Sequence, residues 1–97
     1  MKVRLLDGAQ HELDEAVEYY NAEVAELGHA FLLETLATLE RICQFPNGWH
    51  SLSANTRRCR LRRFPYGVIY AVDEGAILVI AIAHAHRRPN YWRKRIV

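Results

Sequence analysis

Two groups of side chains in the second half of this chain have the types and spacing for chemistry. Arg58, Arg60 and Arg62 alternate along one stretch, and His84, His86, Arg87 and Tyr91 crowd another. An imidazole titrates near neutrality and can give or take a proton. Guanidinium groups hold phosphate oxygens, and an aromatic ring such as Tyr91 or Trp92 can stack on a base. These are the parts for metal-free cleavage of RNA through its own 2′-hydroxyl, which needs a base, cations on the pentacovalent phosphate and an acid for the leaving oxygen. The same parts can also simply grip an anion. His84 and His86, two apart on a strand, could share a metal ion. A third ligand would have to come from His50, Cys59 or a distant acid, and no helical HExxH or paired-cysteine spacing is present. A packed or hydrogen-bonded histidine pair is the preferred reading, and no metal or cofactor is expected. No Ser-His-Asp order and no Gly-rich phosphate loop occur. Carboxylates are nearly absent from this half, which argues against glycosidase-like paired acids.

These groups need a rigid base, and Ala76 to Ala83 supplies it. That run has no polar residue, so it reads as a strand covered on both faces and flanked on both edges. It delivers the His/Arg/aromatic cluster to the surface at its C-terminal end.

The other elements support that strand. Lys2 to Leu6 alternates and reads as a first strand. Asp7 and Gln10 have the spacing of a capping box for an amphipathic helix over about residues 8 to 26, with Glu12, Asp14, Glu15, Glu18, Glu23 and Glu26 on its mostly solvated face. Gly28 is expected to stop it. A second helix, about 29 to 44, carries a stripe of Leu32, Leu36, Leu39 and Cys43, widened by Phe31, Thr35 and Ile42, and the two should pack as an antiparallel hairpin. Trp49 to Asn55 has no period and reads as a loop, with Trp49 plugging the core edge. Thr56 to Phe64 is the second strand, with Cys59 and Leu61 facing inward and Arg58, Arg60 and Arg62 outward. Gly67 to Val72 is the third, joined by the turn Asp73-Glu74-Gly75 to the apolar fourth. Asn90 is placed to cap a short final helix. The expected architecture is α+β: a two-layer sandwich in the order β-α-α-β-β-β, one domain over residues 1–97. The helical hairpin packs on one face of a mainly antiparallel four-stranded sheet, with the apolar strand between the first and third.

Length and charge bound the function classes. Of 97 residues, 51% are hydrophobic and 25% charged, as in a folded soluble protein. No apolar run approaches the ~18 residues of a membrane span, and the start lacks a signal-peptide pattern. A cytoplasmic location is expected, with Cys43 and Cys59 reduced. The net charge of +2 hides a segregation. Residues 1–56 carry three Lys/Arg against nine acids, and residues 57–97 carry ten against two. So basic a half points to a polyanionic or acidic partner, and the acidic first helix could meet basic strands in a homodimer.

The element order and the stretches RRCRLRRFPYGVIYAV (57–72) and IAIAHAHRRPNYW (80–92) resemble the RelE/ParE superfamily of toxins from bacterial type II toxin–antitoxin pairs. The resemblance covers nearly the whole chain, and its specific part is Arg57 to Trp92. It implies a growth-inhibiting toxin neutralised by an antitoxin with an acidic C-terminal segment. RelE-like members cleave mRNA in the ribosomal A site, whereas ParE-like members poison DNA gyrase. Carried over residue by residue, Arg58 and Arg60 match basic positions of the RelE-type site, Arg87 matches an arginine past the fourth strand, and Tyr91 approximates a C-terminal tyrosine. An arginine expected after the strand-opening tyrosine is replaced by Gly67. Loss of one preorganised cation typically costs on the order of 10²–10³ in rate. The resemblance therefore favours a ParE-like gyrase inhibitor over an mRNA endoribonuclease. A basic nucleic-acid-binding module without toxicity is the remaining alternative.

Overall fold

The computed structural model describes residues 1–96. Strand β1 (Lys2–Leu5) leads into helices α1 (Asp7–Glu23) and α2 (Leu27–Gln44). Strands β2 (His50–Ser51), β3 (Arg57–Arg60), β4 (Tyr66–Asp73) and β5 (Ala76–His84) follow, then a 3-10 turn at Arg93–Arg95. The sheet order is β1-β5-β4-β3-β2, with β1 parallel to β5 and the other pairs antiparallel. The helical hairpin on a mainly antiparallel sheet is thus as expected, and apolar β5 does lie between β1 and β4. The sheet has five strands rather than four. The extra one, β2, is two residues long, too short to show a period within the loop that contains it.

The β4–β5 hairpin turns on Glu74 (φ 48) and Gly75 (φ 77). Two successive positive φ values are what a two-residue turn between twisted strands requires. Further along, Ile69 pairs with Ala81 but Tyr70 pairs with Val79, so Ile80 is an extra residue in β5. This bulge shifts the alternation of side chains by one. Before it, Ile77 and Val79 face the helices; after it, Ile82 does. Ile80 and Ala81 both join a second cluster on the opposite face, with Ile69 and Trp92.

The main core lies between sheet and helices, where Ala9, Leu13, Phe31, Ile42, Val68, Tyr70, Ile77 and Val79 meet. The Tyr70 hydroxyl donates to the Pro46 carbonyl at 2.6 Å, and burial pushes its pKa up to about 12. The inward face of α2 is rotated from the leucine stripe. Phe31, Thr35, Thr38, Leu39 and Ile42 are buried, whereas Leu36 is 49% exposed. Each threonine hydroxyl donates to the carbonyl four residues back (Phe31 and Glu34), so the polar atoms are satisfied and the methyl groups pack.

The caps also differ. Asp7 is the first helical residue and Leu6 precedes it, with no side-chain cap bond. Gln10 instead donates to Asp14. The helix–helix turn falls at Val24–Glu26, with Glu26 at φ 71. Gly28 lies inside α2, where its N–H donates to Asn21 Oδ1. Strand β3 ends at Arg60, short of the expected Phe64. Leu61 N–H reaches the Tyr66 carbonyl and Tyr66 N–H the Phe64 carbonyl, so the chain closes a tight turn at Pro65, which has no N–H for a ladder.

Candidate functional site

The bulge and the strand register together build one face of the sheet. Across the strands, His50, Arg58, Ile69 and Ala81 form one row, and Arg60, Gly67 and Ala83 the next. Cross-strand partners share a face, so both arginines stand on the side away from the helices. Small Gly67 and Ala83 leave a trough beside them. The Arg58 stem lies against Gly67 closely enough that a Cβ there would sit 3.1 Å from Arg58 Cγ and Cδ.

The C-terminal segment forms the other wall. After β5, Ala85 N–H bonds the Pro65 carbonyl and the chain turns back over the sheet. Trp92, 3% exposed, drops onto Ile69, Ile80 and Ala81 and pins the segment there. Between the walls is a cleft of about 320 Å³, with Arg58, Arg60, His84, Arg87 and Tyr91 in its lining. Five of the seven sequence-derived residues thus come together. Arg62 lies past the end of β3, on a neighbouring depression with Arg41, Trp49 and His50 that shares Arg58 and Arg60. His86 is exposed beyond the cleft rim.

Arg58 is the most unusual member. Among the described residues, its Nε is the only buried side-chain nitrogen or oxygen without a hydrogen-bond partner. Burial, then the neighbouring Arg60 charge, hold its pKa below the ordinary arginine value. A half-buried, unpaired cation is unfavourable by itself and becomes favourable when an anion sits over it.

Inside the cleft, the Tyr91 hydroxyl and one ring nitrogen of His84 are hydrogen-bonded within the protein. Tyr91 O–H donates to Glu12 Oε2 at 2.6 Å, and the Arg87 guanidinium stacks 3.8 Å from the ring centroid. Burial, then the Glu12 hydrogen bond, raise the Tyr91 pKa further above its ordinary value. The His84 ring packs edge-on against Tyr66 at 5.0 Å, and its Nδ1 accepts the His86 N–H at 3.0 Å. The His84 and His86 rings are 5.2 Å apart, a packed pair as expected. Among the described residues no three His, Cys, Asp or Glu side chains gather as a metal site.

Sequence reasoning missed Glu12, assigned to the solvated face of α1. It is 10% exposed and accepts bonds from Tyr91, Arg95 and the Ile82 N–H. A faint signal existed: on a helical wheel Glu12 lies next to Ala9, Leu13 and Ala16, which are buried. It also missed the pairing of Glu34 with Arg63, through both the N–H and Nε of the arginine.

The comparisons with known proteins agree with the fold. The family described as "ParE toxin of type II toxin-antitoxin system, parDE" matches residues 3–89. Toxin ParE2 of Mycobacterium tuberculosis, in strains CDC 1551 / Oshkosh and H37Rv, is 32% identical over 90 residues, covering 92% of this chain and 86% of the relative. A structure titled "Chromosomal ParDE TA system from P. aeruginosa" superposes with a TM-score of 0.77 at 19% identity, covering 89% of this chain and 97% of that one. The isolated E. coli RelE toxin superposes at 0.62 with 18% identity, covering 99% and 98%. The two structural likenesses speak for the fold.

Proposed function

Because this chain belongs to the ParE toxin family of type II toxin–antitoxin systems, we propose that it stops growth by gripping DNA gyrase through the arginine cleft, without cutting mRNA. As the toxin of such a pair, it has an antitoxin protein as its partner. The observation that carries the mode of action is the unpaired Arg58 Nε in the cleft. Such a site binds an anion well, while the Tyr91 hydroxyl and His84 Nδ1 are taken up by other partners. Gly67, against which the Arg58 stem packs, carries no side chain to act as the extra phosphate-binding arginine of the RelE-type site.

The acidic C-terminal segment of the antitoxin then neutralises the toxin by covering Arg58, Arg60 and Arg62. Acidic side chains supply what Arg58 lacks, and an occupied cleft is closed to the target. The setting is the cytoplasm, where gyrase and antitoxin both are.

Purified gyrase with this protein tests the reading. Inhibited supercoiling, or cleaved DNA trapped on the enzyme, is expected. Ribosome-dependent cuts in mRNA on induction, abolished by Arg87→Ala, with gyrase unaffected, would overturn it.

A further inference from the structure

One wall of the cleft is held by a carboxylate from the opposite layer of the molecule. Strand β1 stops pairing with β5 at Val79, leaving the edge of β5 beyond it without a strand neighbour. There Glu12 of α1 accepts the Ile82 N–H at 3.0 Å, and Arg95 Nη1 donates to the Ile80 carbonyl at 3.0 Å. The two side chains bridge each other through both guanidinium nitrogens: Arg95 Nη1 reaches Glu12 Oε1 at 2.8 Å and Nη2 reaches Oε2 at 3.1 Å. Tyr91 O–H donates to Oε2, and the Arg87 guanidinium adds an ion pair at 3.9 Å. Three residues of the C-terminal segment, Arg87, Tyr91 and Arg95, thus converge on one carboxylate.

We infer that Glu12 is a positioning residue for the toxin's binding cleft: it latches the segment from Arg87 to Arg95 and so fixes the Arg87 wall. The inference rests on the cleft being the functional site, but not on which target it meets. The physical reason is convergence. Charge-assisted bonds are the strong ones, and a carboxylate with every acceptor direction used holds its donors in one geometry. Without it, Arg87 stacks on a tyrosine whose hydroxyl has lost that partner, and the segment keeps Trp92 and the Arg95 bond to the Ile80 carbonyl as anchors.

Gly8 gives an independent way to disturb the same latch. A Cβ there would stand 2.8 Å from Arg95 Cζ and Nε. Gly8→Ala adds helix propensity to α1, so on propensity alone it stabilises the fold, yet it pushes the Arg95 guanidinium away from Glu12.

The test compares wild type, Glu12→Gln and Gly8→Ala by amide hydrogen exchange, melting temperature and growth inhibition at matched expression. Growth inhibition reads the toxin whichever target it strikes. In both variants, amides of residues 91–96 should exchange roughly tenfold faster or more, while those of β4 and α2 stay protected. Growth inhibition should weaken roughly tenfold, because a displaced wall loosens the cleft. Gly8→Ala should do so with a melting temperature closer to wild type than that of Glu12→Gln, because the added helix propensity offsets part of the lost bonding. If Glu12→Gln fails to fold, the Gly8→Ala measurements alone decide. Unchanged exchange in residues 91–96 would overturn the latch. Faster exchange with full toxicity would overturn the positioning role while leaving the gyrase reading untouched.

Discussion

A Cβ on Gly28 would run into the Val17 carbonyl oxygen and stand 2.6 Å from Asn21 Cγ. The glycine is therefore needed for the close approach of α1 and α2, not for a helix stop. Gly28→Ala should cost about 2–3 kcal/mol, as overpacking against backbone does, and urea denaturation measures it. Glu34 behaves differently. Its burial opposes ionisation, but the Arg63 bonds outweigh that and leave the folded pKa below the ordinary value. A depressed folded pKa adds stability above the unfolded carboxyl pKa of ~4.3 and loses it as pH falls through the folded value. Wild-type stability should therefore fall from about pH 5 downward more steeply than that of Glu34→Gln; parallel pH profiles would contradict the assignment. Neither role was legible in the sequence. A glycine two residues into a helix looks the same as one that ends it. A glutamate paired 29 residues away carries no local sign of its partner.

Apart from the short β2, the strands and their order were the legible elements, because β5 is apolar up to its final His84 and can only be central, and because Glu74-Gly75 follows a hairpin pattern. The face of α2 was legible in part: Phe31, Thr35, Leu39 and Ile42 belong to the expected stripe, but Leu36 turns outward and Thr38 turns inward. A threonine becomes a core residue only when its hydroxyl finds a backbone carbonyl, as Thr38 does at Glu34, and sequence spacing does not reveal that. The bulge at Ile80 was also hidden, since it replaces one apolar residue by another. With it went the second cluster under Trp92 and the cleft wall built on it. Trp92→Ala removes the keystone of that cluster. It should cost about 3 kcal/mol or more, as large truncations in a core do. Thermal or urea unfolding checks the cost, and accelerated exchange confined to the C-terminal segment would mark where it falls.

Across the whole molecule the two charge signs separate, with acids on the helical half and cations on the sheet half. That asymmetry was plain in the sequence, as were Arg58, Arg60, His84, Arg87 and Tyr91 of the cleft. The row of three arginines was overextended by one, because a tight turn at Pro65 ends the strand before Arg62. Charge complementarity sets association rate and salt sensitivity. Reversing Arg58 and Arg60 together should weaken antitoxin binding and flatten its dependence on salt; an unchanged affinity would contradict an acidic cover. The most direct measurement is the potency of purified Arg58→Met against gyrase supercoiling, beside its unfolding free energy. Removing a half-buried cation whose Nε lacks a partner should leave stability equal or higher, while inhibition weakens by roughly tenfold or more. Full inhibition by a well-folded Arg58→Met would contradict the account.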